Sequence, residues 1–338
     1  MCGIVGAVTE RRVRNILLEG LKRLEYRGYD SAGLATLEPG NEILRNRQIG
    51  KVANLVAEIG NLNLNGTIGI AHTRWATHGS VQVENTHPHM SGDGLALVHN
   101  GIIENNQLLK AQLLEIGYQF LSDTDSEVIV HLIDSYLKEN ASLVEAVRKS
   151  VKRLDGAYAI AVISADSPNR IVAARSGCPL VIGTGIGENF VASDVLALQA
   201  VTDRFIFLEE GDLVELTTDA IDIWNVEDSS VIRADIKVEV GPDDLDKGRF
   251  RHFMEKEIFA QPEVLKESLG ARLGRERVLE QAFGIESKHI FDQVDAITIA
   301  ACGTSFYAAS VARYWIEDLV GIPCNVEIAS EFRYRKSA

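Results

Sequence analysis

The second residue of the chain is a cysteine, and this position allows an unusual kind of catalysis. The small side chain of Cys2 permits removal of Met1, which leaves a free α-amino group beside the thiol. A thiol needs a base to become a strong nucleophile, and an α-amine has an ordinary pKa of about 7.7–8.0, close to working pH. Cys2 therefore predicts a nucleophile that carries its own base. The alternative is a small buried thiol at the start of a strand.

A thiol that attacks an amide produces an oxyanion, which must be stabilised by preorganised hydrogen-bond donors. Asn100 and Gly101 follow the apolar segment Leu95–His99 and offer a side-chain amide and a backbone N–H. We predict that these residues supply the oxyanion donors. The alternative is a tight turn that closes the strand at His99, because Asn-Gly is common in hairpins.

A third polar segment, residues 72–79, contains two histidines, an arginine, a tryptophan and two threonines. Within it, Arg74 can hold a carboxylate through two parallel hydrogen bonds. Asp125 could hold an ammonium group, and Trp75 offers a large plate that can exclude water. Taken singly, Arg74 and Asp125 are more often surface ions. Together they predict selection of a zwitterionic α-amino acid.

The elements that position these residues follow from hydrophobic periodicity, which predicts strands, then helices, then strands. The predicted strands are 3–9, 31–37, 67–72, 95–99, 157–163, 170–174, 180–184, 190–192, 205–208, 212–216 and 231–238, and the predicted helices are 15–25, 104–116, 124–138 and 141–153. Thr124 and Glu127 have the spacing of a capping box. This order favours layered sheets with helices packed outside.

The length of 338 residues predicts two domains at roughly 150 residues each. The polar segment 241–248 is typical of a linker, and residues 251–283 have a helical pattern broken at Pro262. Strand, helix and strand patterns at 295–300, 306–320 and 324–328 predict one βαβ unit. Because one such unit cannot cover both faces of a parallel sheet, we expect the second domain to be incomplete.

Composition excludes several classes of partner. The net charge of −14 argues against a duplex-binding surface. Four cysteines without a CxxC pair indicate neither a disulfide scaffold nor a zinc site. The sequence contains no long apolar span and does not begin with a secretory signal. We expect a cytoplasmic protein with no nucleic-acid or membrane partner and with no metal or organic cofactor.

Several blocks of the sequence together resemble the class II glutamine amidotransferases. These blocks lie at residues 1–6, 24–33, 69–79, 87–89, 98–105 and 122–127. Further blocks resemble the members of the family that act on fructose 6-phosphate, at residues 251–258, 261–262, 301–305 and 327–334. The resemblance covers essentially the whole chain.

The resemblance implies an α+β fold. An αββα N-terminal-nucleophile hydrolase domain is expected at 2–240, a linker and helical segment at 241–290, and the start of an α/β SIS (sugar isomerase) domain at 291–338. The implied full-length enzyme is a homodimer that hydrolyses glutamine at Cys2. It delivers the ammonia to fructose 6-phosphate, which gives glucosamine 6-phosphate and glutamate. The present chain alone is expected to act only as a glutaminase.

The resemblance also implies a role for each site residue. Cys2 matches the nucleophile, and Asn100 with Gly101 matches the oxyanion hole. The positions that match glutamine-binding residues are Arg74, Thr77, His78, Gly101 and Asp125. Trp75 matches the residue that gates ammonia passage, and His87 matches one that links the glutaminase half to the sugar site. Thr304 and Ser305 match contacts to the sugar phosphate, and they form only part of that site.

Two other functions compete with this interpretation. Amidotransferases that act on other acceptors need an ATP-binding or phosphoribosyl-binding second domain, and the sequence has no Gly-rich ATP loop. A non-catalytic sugar-phosphate sensor would have no use for Cys2, Arg74 and Asn100 together. Release of glutamate from glutamine distinguishes the enzyme from the sensor.

Overall fold

The structure, a computed structural model, describes residues 2–76, 79–238, 248–270, 272–274, 278–284 and 287–336. The chain divides into two compact units, the first ending at Gly248 and the second beginning at Arg249. The predicted domain limit at 240/241 lies among 239–247, outside the described residues, and the domain limits therefore stay a prediction. None of the described helices is long and apolar enough to cross a membrane.

The first unit is built from short strands with helices between them. Its strands are β1 Gly3–Thr9, β2 Ser31–Leu37, β3 Ile43–Ile49, β4 Ile68–Arg74, β5 His89–Ser91, β6 Leu95–Ile103, β7 Gly156–Ser164, β8 Ile171–Ser176, β9 Val181–Thr184, β10 Glu188–Ala192, β11 Arg204–Phe207, β12 Leu213–Leu216, β13 Ile221–Trp224, β14 Ser230–Val231 and β15 Asp235–Lys237. Its helices are α1 Arg14–Leu24, α2 Val52–Glu58, α3 Asn106–Glu115, α4 Ser126–Lys138 and α5 Leu143–Val151.

These strands form two antiparallel sheets. The eight-stranded sheet has the order β15-β11-β9-β10-β1-β4-β2-β3, and the seven-stranded sheet has the order β14-β13-β12-β8-β7-β6-β5. The strand β1 lies between β10 and β4, and β6 pairs with β7 over its whole length. The two strands that carry the predicted nucleophile and oxyanion donors therefore belong to different sheets.

Both faces of each sheet are buried, because side chains alternate along a strand. In β1, Ile4 and Val8 face the second sheet, whereas Val5 and Ala7 pack with α1 and α2. In β7, the side chains at 159, 161 and 163 join the core between the sheets, and those at 158, 160 and 162 pack with α3, α4 and α5. The resulting layers are helix, sheet, sheet and helix, so the predicted αββα fold is confirmed.

Two local predictions around the site are wrong. The strand predicted to end at His99 continues to Ile103, so Asn100 and Gly101 are paired strand residues and not a turn. The predicted capping box does not form, because α4 begins after Asp125 and no side chain caps it. Glu127 instead turns its carboxylate to the backbone N–H groups of Leu121 and Ser122, at 2.7–3.1 Å.

The second unit contains the predicted βαβ arrangement. Strands β16 Ile297–Ala301 and β17 Cys324–Ile328 pair in parallel, and α8 Gly303–Leu319 connects them. The other helices described in this unit are α6 Phe253–Gly270, α7 Ser287–Phe291 and α9 Ala329–Tyr334. The predicted break at Pro262 is wrong, since α6 continues through it. A proline costs the helix one hydrogen bond, and the exposed residues of α6 around it leave the freed carbonyl to water.

Candidate active site

Cys2 lies immediately before β1, at the end of a strand that is fixed on both sides. Its Sγ accepts a hydrogen bond from the backbone N–H of Trp75 at 3.2 Å and lies 3.5 Å from the Trp75 carbonyl oxygen. Burial raises the pKa of the Cys2 thiol, although the Trp75 N–H opposes this shift. The thiol is therefore protonated at neutral pH and needs a base. Once formed, the thiolate already has a donor in place.

Asn100 reaches Cys2 from the second sheet. Its Nδ2 donates to the Cys2 carbonyl oxygen at 3.2 Å, and its Oδ1 lies 3.0 Å from Nε2 of His72. The structure thus brings together the predicted nucleophile and a predicted oxyanion donor, 98 positions apart in sequence. One amide hydrogen of Asn100 is engaged by the protein, which leaves the other for a substrate oxygen.

Gly101 occupies a backbone conformation that side chains rarely adopt, with φ of +131°. A Cβ at this position would lie 1.9 Å from the carbonyl oxygen of Ala157 on the paired strand β7. Only glycine lets β6 pass so close to β7. The backbone that follows Asn100 therefore depends on the absence of a side chain at residue 101.

We expect Gly101→Ala to cost more than a hundredfold in activity and about 2 kcal/mol or more in stability, because the strained φ and the clash act together. Gly117→Ala is the matched control, since Gly117 also has a positive φ of +94° but nothing lies within 4 Å of its Cβ position. Thermal unfolding and glutamate release measure both effects. Equal behaviour of the two variants would contradict this argument.

Arg74 and Asp125 are both buried near the oxyanion donors. Arg74 ends β4, and its guanidinium donates to the carbonyl oxygens of Ser80 at 3.1 Å and Gly79 at 3.3 Å. Asp125 accepts a 2.7 Å hydrogen bond from the backbone N–H of Ile103, at the end of the strand that carries Asn100.

Electrostatics connect the buried arginine to the rest of the site. Burial lowers the pKa of the Arg74 guanidinium. The groups whose charge opposes that shift are Cys2, Asp30 and Asp125. The charge of Asp125 therefore acts on the buried Arg74 guanidinium, and the selection of a zwitterion by this pair stays a prediction.

The segment after β4 carries the other predicted residues. Trp75 has 43% of its surface exposed and meets Tyr29 edge-on, with ring centroids 5.5 Å apart. The next backbone N–H, of Ala76, donates to the carboxylate of Asp30 at 2.9 Å. Thr77 and His78 lie outside the described residues, and their predicted contacts to glutamine stay a prediction.

His87 belongs to a cluster of buried imidazoles, His72, His87 and His89, which contacts Asn100 through His72. Its ring centroid lies 4.1 Å from that of His72 and 4.5 Å from that of His89. Burial lowers the pKa of His72 and of His89 to about 3, and it lowers the pKa of His87 well below its ordinary value. The rings are neutral at physiological pH. The predicted role of His87 in linking two sites stays a prediction.

A family model described as "Glutamine amidotransferase domain" matches residues 72–200. The glutamine–fructose-6-phosphate aminotransferase (isomerizing) of Pseudomonas putida is 56% identical over 336 residues, which are 99% of this chain and 55% of that protein. The protein of the same name from Pseudomonas aeruginosa is 55% identical over 338 residues, the whole of this chain and 55% of that protein. Residues 72–200 of the chain therefore belong to a glutamine amidotransferase domain. The chain spans about half the length of these curated relatives.

Solved structures support the fold of the chain. An allosteric regulatory enzyme of purine biosynthesis matches with a TM-score of 0.59 and 28% identity, over 67% of this chain and 49% of that one. The glutamine phosphoribosylpyrophosphate amidotransferase of B. subtilis also matches with a TM-score of 0.59, at 23% identity, over 96% of this chain and 65% of that one. The second likeness shows the fold alone.

Two residues of this amidotransferase site were not predicted from the sequence. Asp30 holds the backbone after Trp75, and His72 contacts the amide of Asn100. Both fall within sequence blocks that resemble the family, at 24–33 and 69–79, and this was the available signal. Their partners lie 46 and 28 positions away, so the contacts themselves could not be read from spacing.

The predicted sugar-phosphate residues lie in the second unit of the chain. Thr304 and Ser305 occupy the first turn of α8 and are exposed. The helix begins after Cys302, and no side chain caps it. Hydroxyls and free N–H groups at a helix N-terminus are compatible with an anion, but their predicted role stays a prediction.

The buried histidines predict an acid-sensitive fold. An unfolded histidine has an ordinary pKa near 6.5, so the unfolded chain binds protons that His72 and His89 bind only near pH 3. Each such histidine makes the free energy of unfolding fall by about 1.4 kcal/mol per pH unit as the pH drops below about 6.5 toward the pKa in the folded state.

Urea unfolding of the protein at pH values between about 7 and 5 measures this slope. We expect proton uptake on unfolding to exceed one per molecule, and a His87→Phe variant to reduce it by about one. Glu127 does not contribute between pH 7 and 5, because hydrogen bonds from His131, Leu121 and Ser122 outweigh burial and lower its pKa to about 2 from 4.5. Constant stability between pH 7 and 5 would contradict the prediction.

Proposed function

We propose that the chain hydrolyses glutamine to glutamate and ammonia, with Cys2 as the nucleophile. The observation that carries the proposal is the contact of Asn100, which precedes Gly101 on the second sheet, with the carbonyl oxygen of Cys2, whose thiol accepts a hydrogen bond from the Trp75 N–H. The αββα fold and the matched glutamine amidotransferase domain agree with this chemistry. A non-catalytic binding protein has no need of an amide donor beside a residue whose thiol already has a hydrogen-bond donor.

In the proposed reaction, removal of Met1 frees the α-amine of Cys2, which takes the proton from the thiol. The thiolate attacks the side-chain carbonyl carbon of glutamine, and the oxyanion receives hydrogen bonds from Asn100 Nδ2 and the Gly101 N–H. Collapse of this intermediate breaks the C–N bond of the side-chain amide. The α-ammonium of Cys2 gives its proton to the leaving nitrogen, so that ammonia leaves. Water then hydrolyses the thioester, which releases glutamate and restores the thiol.

Arg74 and Asp125 are proposed to select the substrate. The guanidinium of Arg74 binds the α-carboxylate, and the carboxylate of Asp125 binds the α-ammonium. Both side chains are at least nine-tenths buried, which strengthens charge recognition by excluding water. Thr77 and His78 are proposed to complete this pocket, and Trp75 to cover it.

The relatives' name implies a second substrate, and we propose it for a protein of the relatives' full length. Ammonia released at Cys2 would pass to fructose 6-phosphate, which gives glucosamine 6-phosphate. Trp75 would control that passage, His87 would link the sites, and Thr304 and Ser305 would contact the sugar phosphate. The βαβ arrangement of the second unit is compatible with the start of an SIS domain.

One assay tests both levels of the proposal. Purified chain is incubated with glutamine and fructose 6-phosphate, and glutamate and glucosamine 6-phosphate are quantified separately. We expect glutamate without glucosamine 6-phosphate, since Thr304 and Ser305 are the residues of the described chain that match sugar-phosphate contacts. Absence of glutamate from chain shown by mass to begin at Cys2 would refute the glutaminase, and formation of the amino sugar would refute the restriction to hydrolysis.

A further inference from the structure

We propose that His72 is a positioning residue that fixes which end of the Asn100 side-chain amide faces the reacting carbonyl. The inference rests on the proposed glutaminase function, and it adds a residue to which no role was assigned by sequence. Its basis is a buried contact between the two sheets, 3.0 Å from His72 Nε2 to Asn100 Oδ1.

The contact crosses from one sheet to the other. His72 is the fifth residue of β4 in the eight-stranded sheet, and it is 1% exposed. Asn100 lies on β6 in the seven-stranded sheet. His72 is paired on both sides, with Ile4 and Gly33, and Asn100 is paired with Ala159 on β7, so these ladders resist a shift that would compensate for a lost side-chain contact.

The chemistry of a carboxamide gives this contact a direction. Oδ1 of Asn100 can only accept, so Nε2 of His72 must carry the hydrogen and donate. This leaves Nδ2 of Asn100 directed at the Cys2 carbonyl oxygen, 3.2 Å away, and at the place where the oxyanion forms. A flipped amide would instead direct its oxygen toward the oxyanion and repel it. With its hydrogen on Nε2, His72 therefore holds the productive orientation of the Asn100 amide together with the Cys2 carbonyl oxygen, which can only accept.

The ring of His72 is itself held in place. It packs against His87 with an interplanar angle of 31°, and His87 meets His89 edge-on. Nε2 of His89 is 3.1 Å from Oγ1 of Thr124, in the segment that leads to Asp125. The imidazole cluster thus contacts the oxyanion donor Asn100 through His72. Through His89 it contacts Thr124, next to the predicted ammonium ligand Asp125.

Substitutions at residue 72 can separate the donor from the packing. Phenylalanine keeps a flat ring against His87 but has no N–H, and glutamine places an amide N–H near the position of Nε2. Removal of one oxyanion donor typically costs about 10²–10³ in kcat. We expect His72→Phe to lower the kcat for glutamine hydrolysis by about 10- to 1000-fold with little change in KM. We expect His72→Gln to remain within about fivefold of the unmodified chain.

A double-mutant cycle tests whether His72 acts through Asn100. If it does, His72→Phe should change kcat by less than about twofold in an Asn100→Ala background. Alkylation of Cys2 by iodoacetamide forms no oxyanion, so its rate should be unchanged in His72→Phe. His131→Phe is the matched control, since His131 is also buried but contacts Ser91, Glu127, Tyr118 and Phe120 and not Asn100.

Each outcome decides the proposal. A folded His72→Phe variant with the kcat of the unmodified chain overturns it, as does a full additional loss in the Asn100→Ala background. If His72→Phe does not fold, His72→Gln and His72→Asn replace it. The shorter asparagine cannot reach Oδ1, so equal activity of these two variants also overturns the proposal. Inactivity of the unmodified chain would instead count against the glutaminase itself.

Discussion

Replacement of Cys2 by alanine is expected to abolish glutamate release, with a loss of at least about 10⁴-fold. The structure offers no substitute nucleophile in the contacts described around Asn100, whose Nδ2 is directed at the Cys2 carbonyl oxygen. Cys2→Ser keeps a hydroxyl, but a hydroxyl is a weaker nucleophile at neutral pH and should also lose most activity. Glutamate release at saturating glutamine measures both losses.

The fold should survive the Cys2 substitutions. Cys2 is half-buried and precedes β1, whose side chains Ile4, Val5 and Val8 carry the packing. The midpoint of thermal unfolding should therefore change little. A Cys2→Ala variant that retains more than a hundredth of the activity would refute the assignment of the nucleophile.

The proposed base has its own consequence for the chain terminus. Burial raises the pKa of the Cys2 thiol, so deprotonation requires help from a neighbouring group. If the Cys2 α-amine provides that help, a preparation that keeps Met1 should be inactive, since the amine is then part of a peptide bond. Intact mass and glutaminase assays on the same sample decide the point.

Much of the fold follows from alternation of apolar residues. In β1 and β7, every position from 4 to 8 and from 158 to 163 is buried on one face or the other, and the sequence there is continuously apolar or small. Such runs are predicted as strands and require a cover on both sides. The layers were therefore accessible from the sequence, as were most of the strands and helices.

The strands β3, β5 and β13 were not predicted, and β3 shows why. Its sequence Ile-Leu-Arg-Asn-Arg-Gln-Ile contains mostly polar residues, because it pairs only with β2. Arg47 uses its guanidinium to bind the carbonyl oxygens of Glu84 and Thr86, at 3.1 and 2.9 Å. Arg47 thus fixes a neighbouring loop. A strand whose polar residues make such contacts shows no alternation of apolar and polar residues in the sequence.

In the candidate active site, too, some residues were predicted from the sequence and others were not. Cys2 was predicted from its position in the sequence and Asn100 from its combination with Cys2, whereas the residues that support them were not predicted. His72 and Asp30 act on groups far away in sequence, and a buried polar residue leaves no sequence signal beyond its own identity. Gly101 was predicted as a donor, but the close approach of Ala157 that requires a glycine there is visible only when β6 and β7 are paired.

Arg74→Gln is expected to raise the KM for glutamine by a hundredfold or more. Arg74 is 3% exposed, and loss of one partner from a desolvated charge pair costs about 3–5 kcal/mol. Arg74→Lys keeps the positive charge but loses the planar guanidinium, so its KM for glutamine should lie between those of the unmodified chain and Arg74→Gln. Steady-state kinetics of glutamate release give KM and kcat for all three proteins.

The guanidinium also binds the carbonyl oxygens of Gly79 and Ser80, so a rise in KM alone could reflect a displaced segment. A substrate without the α-carboxylate, 4-aminobutanamide, separates the two causes. The unmodified chain should hydrolyse this compound poorly, and Arg74→Gln should hydrolyse it no worse, because the missing group is the one that Arg74 would bind. If Arg74→Gln loses activity equally toward both amides, the arginine supports the loop and the carboxylate is bound elsewhere. Asp125→Asn with a deaminated substrate provides the reciprocal test, and both must hold for the pair to select a zwitterion.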